Sequence, residues 1–232
     1  MYFSLISPAP GRERDAAHAR TLGPYEEHQW LWRFFPGQPE ANRDFLFCHR
    51  EIEGASRYYL VSGRPPTSPD VAWHVQTRGY APALDSGARL RFDLRANPVV
   101  TSQRDGKARR DDVVMAEKKR LLQERGLKNW SEWQGADKPQ LYDLVDRTCQ
   151  RWLIRRAETH GFLVDEDALR VDGYLTHSER RHLPRTQQLR FSTVDFSGVL
   201  TVTDPDRFRS ALTTGIGPAK AFGCGLLLVR RV

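Results

Sequence analysis

The alternation of apolar and polar residues in the N-terminal part of the chain predicts four strands. They are expected at about Tyr2 to Ser7, Phe45 to Glu51, Arg57 to Val61 and Val71 to Gln76. A short helix follows the first strand, and a second, poorly marked helix precedes the last one. This succession of elements is the order of the ferredoxin-like βαββαβ unit.

The remainder of the chain carries a pattern that fits a second copy of the same unit. Arg89 to Ala96 alternates as a half-buried strand does, and Leu141 to His160 has helical spacing that stops at Gly161. Further elements are predicted as strands at Leu169 to Thr176, Leu189 to Val202 and Leu226 to Arg230, and as a helix at Asp206 to Thr213. The sequence therefore predicts an α+β protein with one domain over residues 1–88 and a second over residues 89–232.

A charged insertion, about residues 103–140, interrupts the second predicted domain and contains one predicted helix, around Val114 to Glu124. Its charge run is most simply a hydrated surface, and the basic residues in it are Arg104, Lys107, Arg109 and Arg110. A second basic set recurs every four residues on the following helix, opposite its apolar face, and comprises Arg147, Arg151 and Arg155. This ridge fits a polyanion site or a plain solvent-facing surface.

A short helix bracketed by prolines, between Pro24 and Pro36, places a phenol beside an imidazole. Proline is tolerated in the first turn of a helix and stops it at the far end. Tyr25 and His28 are three residues apart and so share a helix face. Such a pair can orient a reacting oxygen and exchange a proton with it near neutral pH. The alternative is that His28 is a hydrogen-bonded histidine at the margin of the core.

A glycine-rich stretch precedes the last predicted strand and surrounds a single lysine, Lys220. Its glycines are Gly215, Gly217, Gly223 and Gly225. Glycines at this density suit positive φ angles or backbone amides that close on a phosphate. The order helix, loop, strand matches neither a Walker A loop nor a dinucleotide fingerprint. The glycines therefore fit either contact with a ligand or tight turns and packing.

The composition narrows the class of protein. Residues 1–100 carry 12 basic and 11 acidic side chains, whereas residues 101–232 carry 24 and 18, so the net charge of +7 is mainly C-terminal. A basic protein often meets a polyanion. Three scattered cysteines predict neither a disulfide framework nor a zinc site, and they suggest a reducing cytoplasm. No stretch is long enough to span a membrane, and the apolar start reads as a strand and not as a signal peptide.

Four motifs occur along the chain in one order, and together they resemble the CasE family. They are Tyr25-x-x-His28-x-x-x-Trp32-x-x-Phe35-Pro36, then Arg43 to Phe47, then Leu94 to Pro98, then the glycine stretch from Gly215 to Leu227. Members of this family are the CRISPR repeat RNA endoribonucleases of type I-E Cascade. The resemblance runs from Met1 to Val232. No motif matches residues 9–24, 103–140 and 178–188, of which the first two look longer than in the family.

The resemblance implies two tandem ferredoxin-like domains, no cofactor, and a repeat hairpin RNA and other Cascade subunits as partners. The RNA would be cut at the base of its stem, and the protein would stay bound to the product. Basic residues on a hairpin between two C-terminal strands would grip the stem, and here the candidates are Arg180, Arg181, Arg185 and Arg190. A solvated loop explains them equally well. Lys220 and the four glycines are the other candidates for contact with RNA.

The mechanism suggested by Tyr25 and His28 is attack of a ribose 2′-hydroxyl on the adjacent phosphate, which leaves a 2′,3′-cyclic phosphate without a metal. His28 would act as general acid or base, and Tyr25 would orient the ribose or the phosphate. A second proton-transfer group is not identified by the sequence, although His18 is a weak candidate. The competing class is a catalytically silent RNA-binding subunit of a CRISPR ribonucleoprotein. A phosphatase of the same fold would need an anion loop near the first strand, whereas the glycine loop lies at the other end.

Overall fold

The N-terminal strands form one four-stranded antiparallel sheet in the computed structural model, which describes residues 1–17, 23–37, 43–104, 106–179 and 189–232. The strands lie in the order β2-β3-β1-β4. The elements of this half are β1 (Tyr2–Pro8), α1 (Glu13–Ala16), α2 (Pro24–Trp32), β2 (Phe45–Ile52), β3 (Ala55–Ser62) and β4 (Trp73–Gly79). The order is that of a ferredoxin-like sheet. Leu31 of α2 and Phe34, just beyond its end, share a buried core with Tyr58 of β3.

The predicted second helix of this half is wrong. Residues 63–72 connect β3 to β4 by turns and contain no helix. Three prolines in this segment, Pro65, Pro66 and Pro69, each lack the N–H that a helix interior needs. The segment is held instead by a hydrogen bond from the Thr67 N–H to the Phe34 carbonyl at 2.8 Å.

The C-terminal strands form a second sheet, with β11-β5-β10-β8 in order and β9 also paired to β10. The elements of this half are β5 (Arg89–Ala96), β6 (Val99–Arg104), β7 (Lys107–Asp112), α3 (Val113–Glu124), α4 (Leu141–Thr159), β8 (Phe162–Val164), β9 (Arg170–Glu179), β10 (Leu189–Val202), α5 (Pro205–Thr214) and β11 (Leu227–Arg231). Short 3-10 turns lie at Trp130–Glu132 and Lys220–Phe222. With β9 as the second strand, this is the ferredoxin-like order again, which confirms the predicted α+β class. The boundary near residue 88 stays a prediction.

A hairpin that the sequence did not predict lies at the start of the predicted insertion. β6 and β7 form a two-stranded hairpin of their own, in which Thr101 pairs with Arg110 and Arg104 with Lys107. In the sequence the dipeptide Asp105-Gly106 stands between the two strands, and such a dipeptide is a strong signal for a tight hairpin turn, although Asp105 lies outside the described residues. The signal was present in the sequence but was hidden by the charge of the flanking residues.

The two sheets meet along a buried apolar seam, which consists of Leu46, Cys48, Val61 and Leu226. An ion cluster closes one side of this seam. Arg95 donates to both carboxylate oxygens of Asp195 at 2.9 and 2.7 Å, and Arg50 from the first sheet lies 3.2 Å from the same carboxylate. The halves are therefore joined by apolar contacts and by charge.

All three cysteines are buried free thiols, and burial raises the pKa of Cys48 to about 11 and those of Cys149 and Cys224 to about 12. Thiols of this kind are structural and unreactive. None of the helices in the described ranges is long and apolar enough to cross a membrane.

Candidate nucleic-acid interface

Helix α2 carries the two residues for which the sequence predicts chemistry. Pro24 occupies its first turn, and the Glu26 carboxylate accepts a hydrogen bond from the Gly23 N–H at 3.2 Å. The helix ends at Trp32, four residues before Pro36. The next three residues form tight turns in which N–H groups bond to carbonyls three residues back.

His28 lies at the edge of the core, between aromatic rings. The Trp32 indole N–H donates to its Nε2 at 3.3 Å, and the Phe45 ring centre lies 6.0 Å from that of the imidazole. Its Nδ1 is buried and has no hydrogen-bond partner among the described residues. Burial first, and then the positive charge of Arg43, lower the pKa of His28 below its usual 6.5. The imidazole is therefore neutral at pH 7, with the lone pair on Nε2, which accepts the Trp32 N–H, and the proton on the buried Nδ1.

Tyr25 lies one turn before His28 on the same helix. It is 37% exposed, and the Gln29 side-chain amide donates to its hydroxyl oxygen at 3.2 Å. The structure thus brings a partly exposed phenol and a half-buried imidazole together on one helix. Their catalytic roles stay predictions.

A polar network fixes the turn of α2 that carries these residues, and the sequence analysis did not single it out. The Glu27 carboxylate lies 3.1 Å from Nδ1 of His49, whose Nε2 lies 3.1 Å from the Ser56 hydroxyl. The His49 ring stacks on Tyr58 with ring centres 4.4 Å apart. Although this resembles a carboxylate–histidine–serine triad, Ser56 is only 2% exposed and no substrate can reach it. The network anchors the helix to β2 and β3.

The glycine loop turns back on itself through one backbone hydrogen bond and is joined to β5 by another. The Ile216 N–H donates to the Gly225 carbonyl at 2.9 Å, and the Gly225 N–H donates to the Arg95 carbonyl at 2.7 Å. The loop packs against α2 and β2, so the structure brings together the two ends of the chain that the motifs singled out.

The four glycines of this loop all have positive φ angles. Gly215, Gly223 and Gly225 are buried, and a Cβ on any of them would meet protein atoms. This packing supports the tight-turn role that the sequence left open. Gly217 alone lines the cleft described next. The predicted contact of the glycines with RNA stays a prediction.

A cleft of about 640 Å³ opens beside the glycine loop. No acidic residue in the described ranges lines it. Its four cationic side chains come from four different elements or loops and are Arg43, Arg110, Arg156 and Lys220. Burial first, and then Arg43, lower the pKa of Lys220. Since Arg43 also lowers the pKa of His28, the imidazole and the lysine share one electrostatic environment. Crowded cations without carboxylates indicate a site for a polyanion.

Only part of this cleft follows from the sequence. Lys220 is a predicted contact, whereas Arg110 lies in a charge run that fits a hydrated surface, Arg43 lies in a family motif, and Arg156 belongs to no predicted group. The residues are far apart in the chain and follow no common spacing. Only the Asp105-Gly106 turn signal could have shown that Arg110 lies on a strand.

The predicted hairpin of basic residues falls between β9 and β10 in the sequence, and these strands pair up to Glu179 and Leu189. Arg180, Arg181 and Arg185 lie outside the described residues, as does His18, whereas Arg190 is exposed near the start of β10. A run of stacked rings connects the base of this hairpin to the glycine loop. The ring centres of His177 and Phe191 are 4.8 Å apart, and those of Phe191 and Phe222 are 5.0 Å apart.

Two sheets of ferredoxin-like order, with a basic cleft beside their joint, define the class of tandem ferredoxin-like proteins. A family model described as "CRISPR associated protein" matches residues 1–231. The chain is 31% identical over 98% of both chains to "CRISPR system Cascade subunit CasE" from Escherichia coli. It is also 31% identical to "CRISPR-associated endoribonuclease Cse3" from Thermus thermophilus, over 92% of this chain and 93% of that one. The chain therefore belongs to this family of CRISPR-associated proteins, and CasE and Cse3 are its relatives.

A solved structure supports the same assignment. It is that of Thermus thermophilus Cse3 bound to an RNA representing a pre-cleavage complex, with a TM-score of 0.65 and 25% identity. The comparison covers 99% of this chain and 98% of the other.

Proposed function

We propose that this protein is an endoribonuclease that cleaves CRISPR precursor RNA at the base of the repeat hairpin. The naming of its relative Cse3 as an endoribonuclease, and the structure of that protein with a pre-cleavage RNA, support the reaction class. The observation in this chain that carries the proposal is the position of His28. A neutral imidazole with its lone pair on Nε2 lies on a helix that packs against the glycine loop, and the charge of Arg43, which lines the cleft, acts on both His28 and Lys220.

In the proposed reaction a ribose 2′-hydroxyl attacks the adjacent phosphorus. The O2′–P bond forms while the P–O5′ bond breaks, which gives a 2′,3′-cyclic phosphate and a free 5′-hydroxyl. His28 accepts the proton of the 2′-hydroxyl at Nε2, where the hydroxyl takes the place of the Trp32 N–H, and the leaving oxygen gains a proton from solvent or from Lys220. Arg43 and Lys220 stabilise the charge that develops on the phosphorane, and Tyr25 orients the ribose. No step in this mechanism uses a metal.

The proposal is tested by cleavage of a labelled repeat hairpin by the wild-type protein in EDTA. We expect cutting to continue in EDTA and to stop when the single ribose before the cut is replaced by 2′-deoxyribose, while binding of both RNAs is retained. A metal-dependent cut, or a cut of the 2′-deoxy RNA, would contradict transesterification. Binding of the hairpin without cutting would instead indicate a catalytically silent RNA-binding subunit.

The lowered pKa of His28 gives a pH prediction with a definite sign. A general base works in its neutral form, so the rate of the chemical step falls only as the pH drops through the lowered pKa. We therefore expect the acidic limb of the pH–rate profile, in which the single-turnover rate falls as the pH drops, to lie below pH 6.5. Replacing Arg43 by Gln removes one cause of the shift, and the limb should move towards higher pH without passing 6.5, because burial remains.

The matched control for this variant is Arg33→Gln, which removes an exposed arginine at the end of the same helix. Its charge is not among the causes of the His28 shift. An acidic limb that stays in place in Arg43→Gln, or that moves equally in both variants, would show that another group titrates.

After cleavage the protein is proposed to stay on the hairpin of the mature RNA and to join other Cascade subunits, as the naming of CasE as a Cascade subunit suggests. Retention makes it close to a single-turnover enzyme, since product release is then very slow. The compartment we propose is the cytoplasm, where the precursor transcript is made.

A further inference from the structure

A second cavity, of about 600 Å³, lies between the β6–β7 hairpin and helices α3 and α4. Its basic walls are formed by Arg120, Arg151, Arg155 and Arg156, and its apolar surface by Val100, Val113 and Trp152. The only acidic side chain in its lining, among the described residues, is Glu117. An apolar floor with cationic walls matches the two faces of a nucleotide, its base and its phosphate.

This cavity adjoins the cleft beside the glycine loop. Val99, Thr101 and Arg156 line both of them. The Arg156 guanidinium lies 5.9 Å from the ring centre of Trp152, so it covers the indole at the junction. A chain that passes from one cavity to the other would meet cations throughout. We call the second cavity and this junction the α4 channel.

The charges of the α4 channel are largely uncompensated. Glu117 is held by Arg120, whose guanidinium donates to it at 2.8 Å and also contacts Glu124. No carboxylate within the described ranges forms an ion pair with Arg151, Arg155 or Arg156. Three cations are thus left facing solvent on one helix, where a polyanion would replace their counterions.

We infer that the α4 channel binds a single-stranded segment of the RNA that flanks the repeat stem. The inference rests on the proposed function, since the cleft would hold the cleaved phosphate and the channel leads away from it. The volume is that of a site for a small molecule, so it admits a few nucleotides of one strand and excludes a duplex. A positively charged groove that follows the phosphate backbone is a usual basis of such binding without sequence preference.

The helix itself supplies a matched control. Arg147, Arg151 and Arg155 form one ridge at four-residue spacing, but only Arg151 and Arg155 line the channel. Arg147 bonds through its Nε–H to the Asp143 carbonyl at 3.2 Å. Replacing Arg151 or Arg147 by Gln removes the same charge from the same helix face, one turn apart.

The test measures binding of three labelled RNAs, namely the repeat hairpin alone and the hairpin with a short oligouridylate extension on its 5′ or its 3′ side. One of the two extensions should tighten binding by the wild type, and the side on which it does so shows which single-stranded flank occupies the channel. Arg151→Gln combined with Arg155→Gln should weaken binding of that RNA by roughly tenfold. The slope of log K against log salt should fall by about 1.4, at about 0.7 for each lost contact with a single strand.

Hairpin-only binding and cleavage should remain at wild-type levels in the double variant, and Arg147→Gln should bind all three RNAs as the wild type does. Equal losses in Arg147→Gln and Arg151→Gln would overturn the inference, as would equal losses on the hairpin alone. Polyglutamate is the final arm. If polyglutamate binds in a way that depends on Arg151 and Arg155, and neither extension tightens RNA binding, the channel is assigned to an acidic protein segment. Failure of the hairpin itself to bind would count against the proposed function and not against the channel.

Discussion

Replacing His28 by alanine is expected to slow cleavage of the repeat hairpin by roughly 10² to 10⁴ while leaving its binding nearly unchanged. In the proposed mechanism the imidazole accepts the proton of the attacking hydroxyl, whereas the affinity is expected from the cations of the cleft and from the predicted basic residues between β9 and β10. The side chain is half-buried against Trp32 and Phe45, so its loss removes little of the core. Single-turnover rates at saturating protein, with Kd determined on the 2′-deoxy hairpin, separate the two effects.

His74→Ala is the control, because His74 is an exposed histidine on β4. It should cut at the wild-type rate. If His28→Ala also cuts at that rate, the proton acceptor is another group. If it loses binding in proportion to its rate, then His28 supports the RNA site and not the chemistry.

Replacing Gly225 by alanine is expected to lower the free energy of unfolding by roughly 2 to 4 kcal/mol. The residue has φ +91°, and a Cβ would lie 2.9 Å from the Ile216 carbonyl oxygen, which is itself backbone and cannot turn aside. The same loop carries Lys220, so cleavage should fall as well. Urea unfolding gives the free energy, and cleavage well below the transition gives the effect on the site.

The control isolates the contribution of the backbone conformation. Gly54 has φ +75° but no atom within 4 Å of its Cβ position, so Gly54→Ala carries the conformational strain without the collision. We expect it to destabilise by about 1 kcal/mol and to leave cleavage intact. Equal destabilisation by the two substitutions would mean that the glycine loop relaxes to make room.

The sequence predicted those elements whose side chains alternate or recur against a single core. Leu189 to Val202 and Arg89 to Ala96 were located at their observed bounds, and the helix after Gln140 within one residue. The helix predicted between β3 and β4 failed because three prolines outweigh a weak apolar pattern. The β6–β7 hairpin was missed since its strands are polar and exposed, which leaves no periodic apolar face to detect.

The candidate site was predictable where one local segment carries it and not where folding assembles it. Tyr25 and His28 lie on one helix turn, so their spacing was sufficient. The cleft is different, because Arg43, Arg156 and Lys220 come from a loop before β2, from α4 and from the glycine loop. Their proximity depends on how the two sheets join. No local pattern encodes that arrangement.

The seam between the sheets also affects how quickly RNA can bind. Its apolar contacts and the shared carboxylate of Asp195 hold the two halves together before any ligand arrives. The cations of the cleft are therefore preorganised, and no domain closure has to precede or follow the encounter. Association should then be a single second-order step that is accelerated by long-range attraction, with a rate constant that rises steeply as the ionic strength falls.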